Sequence, residues 1–235
     1  MGDLYVVRHA QASFGKPDYD QLSELGFRQA GLLTEFLAQT GLRFEALYSG
    51  EMKRHLDTAQ ALVPRLNPDA AGAGLRIRAE FNEFDLAAVV NFQLPLLIRE
   101  NPQLGQDMEA LFTDPRALYR ILNLSISRWI NNPEGLAGVE TWPAFTQRVW
   151  GGLEQIIRES GRGRTVALVT SGGPLAALLQ KALNIPDLSA IDLAWQIRNA
   201  SVSTFKFSVD RFSLASFNSV AHLEIRRDPA LVTYR

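Results

Sequence analysis

The chain has 235 residues, of which 46% are hydrophobic and 21% are charged, and its formal net charge at pH 7 is −1. This length and composition predict one soluble globular domain with a substantial core, and the near-zero charge argues against nucleic acid or an anionic membrane as a partner. The absence of cysteine excludes disulfide bonds, thiolate metal sites and a cysteine nucleophile, and three histidines are too few for a histidine-rich metal cluster.

The first apolar segment is LYVV, residues 4–7, which is bounded by charged residues and ends in two valines. These features predict a short buried strand. The segment is too short for a signal peptide or a membrane span, and no later stretch reaches the roughly 18 apolar residues that a span requires. We therefore expect a cytoplasmic protein.

A helix is predicted after the polar loop that follows this strand. Ser23 is its predicted N-cap and Gly41 its predicted stop, with apolar residues between them near one helical face. Residues 44–50 then predict a second strand and residues 52–66 a second helix. Residues 75–81 alternate in hydrophobicity and predict a third strand.

The pattern changes between Asp85 and about Gly138, where short helical stretches are broken by Asn-Pro and Asp-Pro pairs. We interpret this part, about residues 86–138, as a helical insertion that acts as a cap on a single domain of residues 1–235. A long amphipathic helix is predicted after Glu140.

The last third of the chain supplies the strongest strand. Residues 164–170, RTVALVT, predict a parallel strand that is followed by a helix, and residues 201–209 and 211–217 predict two antiparallel strands. Alternating strands and helices with an antiparallel end indicate the α/β class. The expected fold is a three-layer α/β/α sandwich around a mixed, mostly parallel sheet.

The candidate functional residues share one position, because each follows a predicted strand at its carboxyl end, where ligands of such sheets bind. They are Arg8 and His9, Arg54, Glu83, and the turn Ser171-Gly172-Gly173. Arginine forks match phosphoryl oxygens in pairs, and backbone N–H groups at a helix N-terminus add donors. The set therefore predicts a phosphate site.

Six segments, in their order along the chain, resemble motifs of the histidine phosphatase superfamily, also called the phosphoglycerate-mutase-like family. They are LYVVRHAQAS (4–13), LSELGFRQA (22–30), YSGEMKRHLDTA (48–59), FNEFD (81–85), GVETW (138–142) and NSVAHL (218–223). The first carries Ala10 where the family's Arg-His-Gly signature has glycine. Each match alone is weak, but their common order and spacing are specific, and the likeness covers nearly the whole chain.

The resemblance implies a metal-independent phosphatase without a cofactor that acts on a small phosphomonoester through a phosphohistidine. His9 would attack phosphorus while a backbone carbonyl holds its other ring nitrogen. Arg8 and Arg54 would clamp the phosphoryl oxygens, and Glu83 would protonate the leaving group and then activate water. A mutase is a less favoured alternative, because the insertion carries no dense basic cluster.

Further residues are candidates for binding the substrate or its phosphate. Ser171 and Gly172 begin the helix after the fourth strand, and Gln11 lies on the loop after His9. The resemblance places Glu140 in a segment near the substrate and His222 in a C-terminal motif that supports the site. The residue pattern indicates neither which phosphoester is the substrate nor the oligomeric state.

The sequence departs from the family at Ser171, where the family has a second histidine that donates to the phosphoryl group. His55 follows Arg54 on a predicted helix, so we expect it to point about 100° away from the site and to lie at the surface or in packing. His222 is expected to support the site rather than to replace the missing group. Because Ser171 offers only a neutral donor, we expect slow or specialised activity.

Two alternatives remain open beside the phosphatase. The first is a catalytically weak or inactive phosphoester-binding protein. In the second, Ser171 is itself a nucleophile, with Asp187 or Asp192 and His222 as partners in hydrolase order. That alternative is disfavoured because the turn lacks a glycine two residues before the serine, and because it leaves the two arginine motifs without a role.

Overall fold

The computed structural model describes residues 1–13, 20–67, 74–110, 113–132 and 134–234. The chain divides into two compact units, a larger one of Met1–Asn82 with Arg148–Arg235 and a smaller one of Glu83–Gln147. Residues 14–19, which belong to the predicted loop after His9, lie outside the described residues. Within the described part of the chain, no helix is long and apolar enough to cross a membrane.

The larger unit contains a six-stranded sheet. Its strands are β1 (Gly2–Arg8), β2 (Ala46–Ser49), β3 (Leu75–Ile77), β4 (Thr165–Thr170), β5 (Val202–Ser208) and β6 (Arg211–Ser219). The spatial order is β3-β2-β4-β1-β5-β6. The first four of these are parallel, whereas β5 pairs antiparallel with β1 and β6 antiparallel with β5. The predicted mixed, mostly parallel sheet is therefore confirmed.

The helices follow the strands along the chain. They are α1 (Glu24–Gln39), α2 (Lys53–Leu66), α3 (Leu86–Glu100), α4 (Leu104–Glu109), α5 (Pro115–Ile130), α6 (Trp142–Ser160), α7 (Gly172–Leu183), α8 (Asp187–Ala194) and α9 (Ala221–Glu224). Ser23 caps α1 as predicted, because its side chain accepts a hydrogen bond from the N–H of Gly26 at 3.0 Å.

Helices cover both faces of the sheet in the larger unit, which confirms the α/β class. On one face, buried leucines of α1 and α2 pack on strand residues: Leu33, Leu37, Leu62 and Leu66 against Val7, Leu47, Ala167 and Val169. On the other face, Tyr48 of β2 hydrogen-bonds Glu159 of α6, and Trp150 of α6 donates to the carbonyl of Ala177 in α7. Because neighbouring strand residues point to opposite faces, the two sets form separate layers.

The third strand is shorter than predicted. The sequence predicts a strand over residues 75–81, but β3 ends at Ile77 and a 3₁₀ turn, Ala79–Phe81, follows. The physical reason is that β3 lies at the edge of the sheet and β2 offers it only three paired residues. Phe81 is then buried in the turn, and its carbonyl accepts a hydrogen bond from Oγ1 of Thr170 at 2.6 Å.

The smaller unit is helical and is built around aromatic side chains. Asp85 caps α3 by accepting from the N–H of Ala88 at 2.8 Å. The ring centroids of Phe84 and Trp129 lie 4.7 Å apart, and those of Trp129 and Trp142 lie 5.6 Å apart. This unit contains the segment in which short helical stretches are predicted. Its function as a cap stays a prediction.

Candidate active site

His9 is held at the carboxyl edge of the sheet by its backbone. Its N–H donates to the carbonyl of Thr170 in the neighbouring strand β4 at 2.8 Å. Its carbonyl accepts from the N–H of Ala200 at 3.2 Å and from Nδ2 of Asn199 at 3.3 Å. Residues from two distant parts of the chain therefore fix the position of this histidine, whose surface is 4% exposed.

The hydrogen bonding of the His9 ring determines which nitrogen can react. Nδ1 lies 2.7 Å from the carbonyl oxygen of Ala10. Because a carbonyl only accepts, Nδ1 carries the hydrogen and Nε2 keeps its lone pair. Burial, and then the charges of Arg54 and Arg8, hold the pKa of His9 well below its usual value of 6.5. At neutral pH the ring is therefore an uncharged imidazole with a nucleophilic Nε2.

Arg54 is brought to His9 by a hydrogen-bonded link between the loop after β1 and the first turn of α2. Oγ1 of Thr58 accepts from the N–H of Ala10 at 3.1 Å and donates to the carbonyl of Arg54 at 2.8 Å. The Arg54 residue is 5% exposed, and its guanidinium forms an ion pair with Asp20 at 2.5 Å. The Arg-x-x-x-Thr spacing of the sequence is thus the signal for this link.

Arg8 is the second cation beside His9. It is half-buried at the end of β1, and its guanidinium donates to the carbonyl of Ile197. The charges of Arg8 and Arg54 both lower the pKa of His9. Arg8 precedes His9 in the chain, and Thr58 links Arg54 to Ala10, the residue after His9. The structure therefore brings together three residues that the sequence proposes as a phosphate site.

Ser171 is the N-cap residue of α7, but its side chain does not cap the helix. Its backbone is extended, with φ −109° and ψ −177°, and its hydroxyl makes no capping hydrogen bond. Oγ instead lies 2.5 Å from Nε2 of His55. Gly172 begins α7 next to it, where the N-terminal backbone N–H groups of the helix favour an anion.

The expectation that His55 points away from the site is wrong. The residue is fully buried, and its ring centroid lies 5.6 Å from that of His9. Both Arg54 and His55 belong to the first turn of α2, so the end of this helix borders the site and neighbouring residues can both reach it. Gly50 leaves the required space, because a Cβ there would lie 2.3 Å from Nδ1 of His55.

Gln11 has structural partners. Its Oε1 accepts from Oγ of Ser23 at 2.7 Å, and its backbone N–H donates to Oε1 of Gln29 at 2.8 Å. These contacts tie the loop after His9 to the start of α1. Contact of Gln11 with substrate stays a prediction.

Glu83 and Glu140 belong to the smaller unit, where both are half-buried. Oε1 of Glu83 accepts from the N–H of Phe84 at 3.2 Å, and the carbonyl of Glu140 accepts from Nε1 of Trp129 at 2.8 Å. Their roles in proton transfer and in substrate binding stay predictions.

His222 packs against α1. It lies in α9, which follows the carboxyl end of β6, it is 2% exposed, and its ring centroid is 6.2 Å from that of Phe36 in α1. It lines a cavity of about 160 Å³ together with side chains such as Tyr5 and Thr204, and none of Arg8, His9, Arg54 and Ser171 lines that cavity. The phosphate-binding role expected for His222 stays a prediction, because the helix contacts described for α9 are with α1.

His222 should affect the pH dependence of stability. Burial lowers its pKa to about 4 in the folded protein, below the usual 6.5. Between these two pKa values the unfolded chain therefore binds more protons than the folded protein. The contribution of neutral His222 to the free energy of unfolding is complete above pH 6.5 and is lost as the pH falls toward 4. A buried group shifted this far contributes on the order of 3 kcal/mol over that range.

We expect the variant His222→Gln to show a shallower rise in the free energy of unfolding between pH 4 and 6.5 than the wild type. Urea unfolding at several pH values measures both slopes. His9 and His55, whose pKa values are also lowered, keep part of the slope in the variant. Equal slopes in the two proteins would contradict the prediction.

The family model described as histidine phosphatase superfamily (branch 1) matches residues 4–117 and 113–220. No curated protein sequence gives a significant match.

Solved structures with the same fold are similar over most of the chain. Phosphoserine phosphatase from Entamoeba histolytica, in complex with 3-phosphoglyceric acid, is 18% identical with a TM-score of 0.64, covering 95% of this chain and 100% of its own. Phosphoglycerate mutase from Bacillus anthracis is 17% identical with a TM-score of 0.63 and covers 96% of each chain. A mycobacterial glucosyl-3-phosphoglycerate phosphatase with inorganic phosphate is 21% identical with a TM-score of 0.64, covering 94% of this chain and 98% of its own.

Proposed function

The chain belongs to the histidine phosphatase superfamily, and we propose that it is a metal-independent phosphatase that hydrolyses a small phosphomonoester through a phosphohistidine on His9. The observation that carries this proposal is the hydrogen bond from Nδ1 of His9 to the carbonyl of Ala10, which leaves the Nε2 lone pair available in a site that also contains Arg8 and Arg54. Such an arrangement presents a nucleophile and two fixed positive charges to one phosphoryl group.

In the first step, Nε2 of His9 attacks phosphorus and the bond from phosphorus to the ester oxygen breaks. The two arginines stabilise the negative charge on the phosphoryl oxygens, which is greatest in the transition state. The charge of Arg54, which pairs with Asp20 before a substrate binds, acts strongly on a phosphoryl group because His9 and Arg54 are buried, where water screens charges little. The hydrogen bond from Nδ1 to Ala10 then stabilises the positive charge that the ring acquires.

The second step returns the enzyme to its starting state. We assign to Glu83 the role of the general acid, which donates a proton to the leaving alkoxide in the first step. The resulting carboxylate accepts a proton from water, the oxygen attacks phosphorus, and the bond to Nε2 breaks. The products are the alcohol and inorganic phosphate, and His9 is again neutral.

Hydrolysis is favoured over a mutase reaction by the charges of the smaller unit. A mutase retains a phosphorylated intermediate for a second transfer, which calls for a strongly basic pocket. Two arginines in the described part of this unit are already paired with carboxylates, Arg120 with Asp107 and Arg128 with Glu100. These two arginines therefore have partners within the smaller unit, which makes them less available to a second phosphoryl position.

The proposal predicts phosphate release from p-nitrophenyl phosphate at a rate that EDTA does not change. Rapid quenching at alkaline pH, followed by peptide mass spectrometry, should show phosphate on His9, because phosphohistidine survives in base and is lost in acid. Binding of phosphate or vanadate without turnover and without a phosphorylated peptide would support the phosphoester-binding alternative instead. A panel of phosphorylated metabolites would then identify the preferred substrate.

A further inference from the structure

One buried histidine beside His9 takes no part in the steps above. Nε2 of His55 lies 2.5 Å from Oγ of Ser171, the residue that the sequence resemblance places at the position of the family's second histidine. We infer that His55 and Ser171 together replace that imidazole: His55 orients the Ser171 hydroxyl, and the hydroxyl donates a hydrogen bond to a phosphoryl oxygen. Ser171 is then a catalytic residue and His55 a positioning residue. This inference rests on the proposed phosphoryl transfer to His9.

The location of the pair fits this role. His55 is fully buried and Ser171 is 1% exposed, and the rings of His55 and His9 have centroids 5.6 Å apart. Ser171 directly precedes α7, so an anion near its hydroxyl also meets the N-terminal N–H groups of that helix. The pair therefore lies on the same edge of the sheet as the nucleophile.

The backbone shows that the Ser171 hydroxyl is available to a ligand. A serine at an N-cap ordinarily uses its oxygen to accept a backbone N–H of the first helical turn. Ser171 makes no such bond, although it occupies the N-cap position of α7. Its hydroxyl is directed to His55 instead, which leaves its own proton free to be donated.

The surroundings of the His55 ring indicate the direction of the hydrogen bond. Among the described residues, Nδ1 of His55 has no hydrogen-bond partner, and it packs against Gly50. A buried N–H without an acceptor is rarer than a buried acceptor without a donor, so the ring hydrogen belongs on Nε2. Nε2 then donates to Oγ of Ser171, and Ser171 can donate only to something else.

This direction has a consequence for catalysis. When Oγ accepts a hydrogen bond from His55, its own O–H becomes a stronger donor, because hydrogen bonds in a chain polarise one another. Burial, and then the charge of Arg54, lower the pKa of His55, so the ring begins as a neutral donor. No proton needs to change place for the hydroxyl to stabilise the phosphoryl oxygen.

A double-mutant cycle on the rate of His9 phosphorylation tests the inference. Single-turnover rapid quench with p-nitrophenyl phosphate would measure that rate in His55→Ala, Ser171→Ala and the double variant. We expect each single variant to be about 10- to 200-fold slower, the effect of losing one oriented donor to a charged group. The double variant should be about as slow as the slower single one, because the two residues act as a unit.

Two further variants separate a positioning role from a structural one. His55→Gln keeps an N–H near the place of Nε2 and should retain most of the rate. In the His55→Ala background, Ser171→His returns an imidazole to the family position and should raise the rate about tenfold or more, by restoring a donor. A purely structural His55 would not be rescued by a change at position 171.

Ser203→Ala is the matched control for Ser171→Ala. Ser203 is a buried serine of β5 whose Oγ accepts from the N–H of Asn218 at 3.0 Å. We expect its removal to leave the rate within about twofold, and thermal unfolding of every variant reports on folding.

Specific outcomes overturn the inference. A wild-type rate in His55→Ala, or effects that simply multiply in the double variant, would show that the pair does not act together, while the proposed phosphatase stands. The absence of any phosphohistidine in the wild type would instead defeat the proposed function. A phosphoserine trapped at Ser171 would identify that residue as the nucleophile and overturn both.

Discussion

Replacing His9 with alanine is expected to lower kcat for p-nitrophenyl phosphate by a factor on the order of 10⁴ or more, because the variant has no nucleophile to carry the phosphoryl group. Arg8 and Arg54 remain in the variant, so its affinity for inorganic phosphate or vanadate should change far less than its rate. Steady-state kinetics and calorimetric titration with vanadate measure the two quantities separately.

Equal rates for the wild type and His9→Ala would eliminate the phosphohistidine mechanism. A second measurement guards against a folding defect: the variant should keep the thermal unfolding transition of a folded protein. Free imidazole offers a further check, because it fits the space that the lost ring leaves and could itself accept the phosphoryl group. A rise in rate with imidazole in His9→Ala, and none in the wild type, is the expected result.

Replacing Arg54 with alanine is the prediction with the second largest effect. We expect kcat/KM to fall by about 10³-fold, the lower end of what a transition-state arginine contributes in phosphoryl transfer. Arg54→Lys should recover part of this loss, because it keeps the charge but loses the two-pronged hydrogen bonding of the guanidinium. Steady-state kinetics of both variants gives the comparison.

The Arg54→Ala variant should also change the titration of His9. The charge of Arg54 lowers the pKa of His9, so its removal should raise that pKa, which NMR titration of the ring protons would detect. Arg226→Ala is the control, because Arg226 is an exposed arginine of the larger unit that pairs with Glu35 at 3.4 Å. If kcat/KM fell as much in Arg226→Ala as in Arg54→Ala, the cause would be a general effect of net charge.

Local patterns along the chain were sufficient to predict most of the fold. Apolar runs such as residues 164–170 form the buried strand β4, and Ser23 begins α1 through the hydrogen bond that its position suggests. These predictions succeed because strands and helix caps depend on residues close in sequence. The edge strand β3 ends early, since the length of a strand depends on the partner available to it.

The order of strands and motifs also sufficed to predict much of the candidate site. Arg8, His9 and Arg54 each follow the carboxyl end of a parallel strand, and such ends meet at one edge of a sheet. Membership of the histidine phosphatase superfamily follows from the same segments. Sequence order could not show, however, that His222 lines a cavity beside α1, because the place of α9 depends on its packing against α1.

The sequence by itself determined the class of the fold, the family, and the presence of one histidine between two arginines, because these depend on short segments and on their order. Only the tertiary structure decided that His55 meets Ser171, two residues 116 positions apart in the chain. A helical projection gives only the angles between residues around one helix. It carries no information about the strand end against which that helix packs. Packing of the first turn of α2 against Gly50 and Ser171 supplies that information.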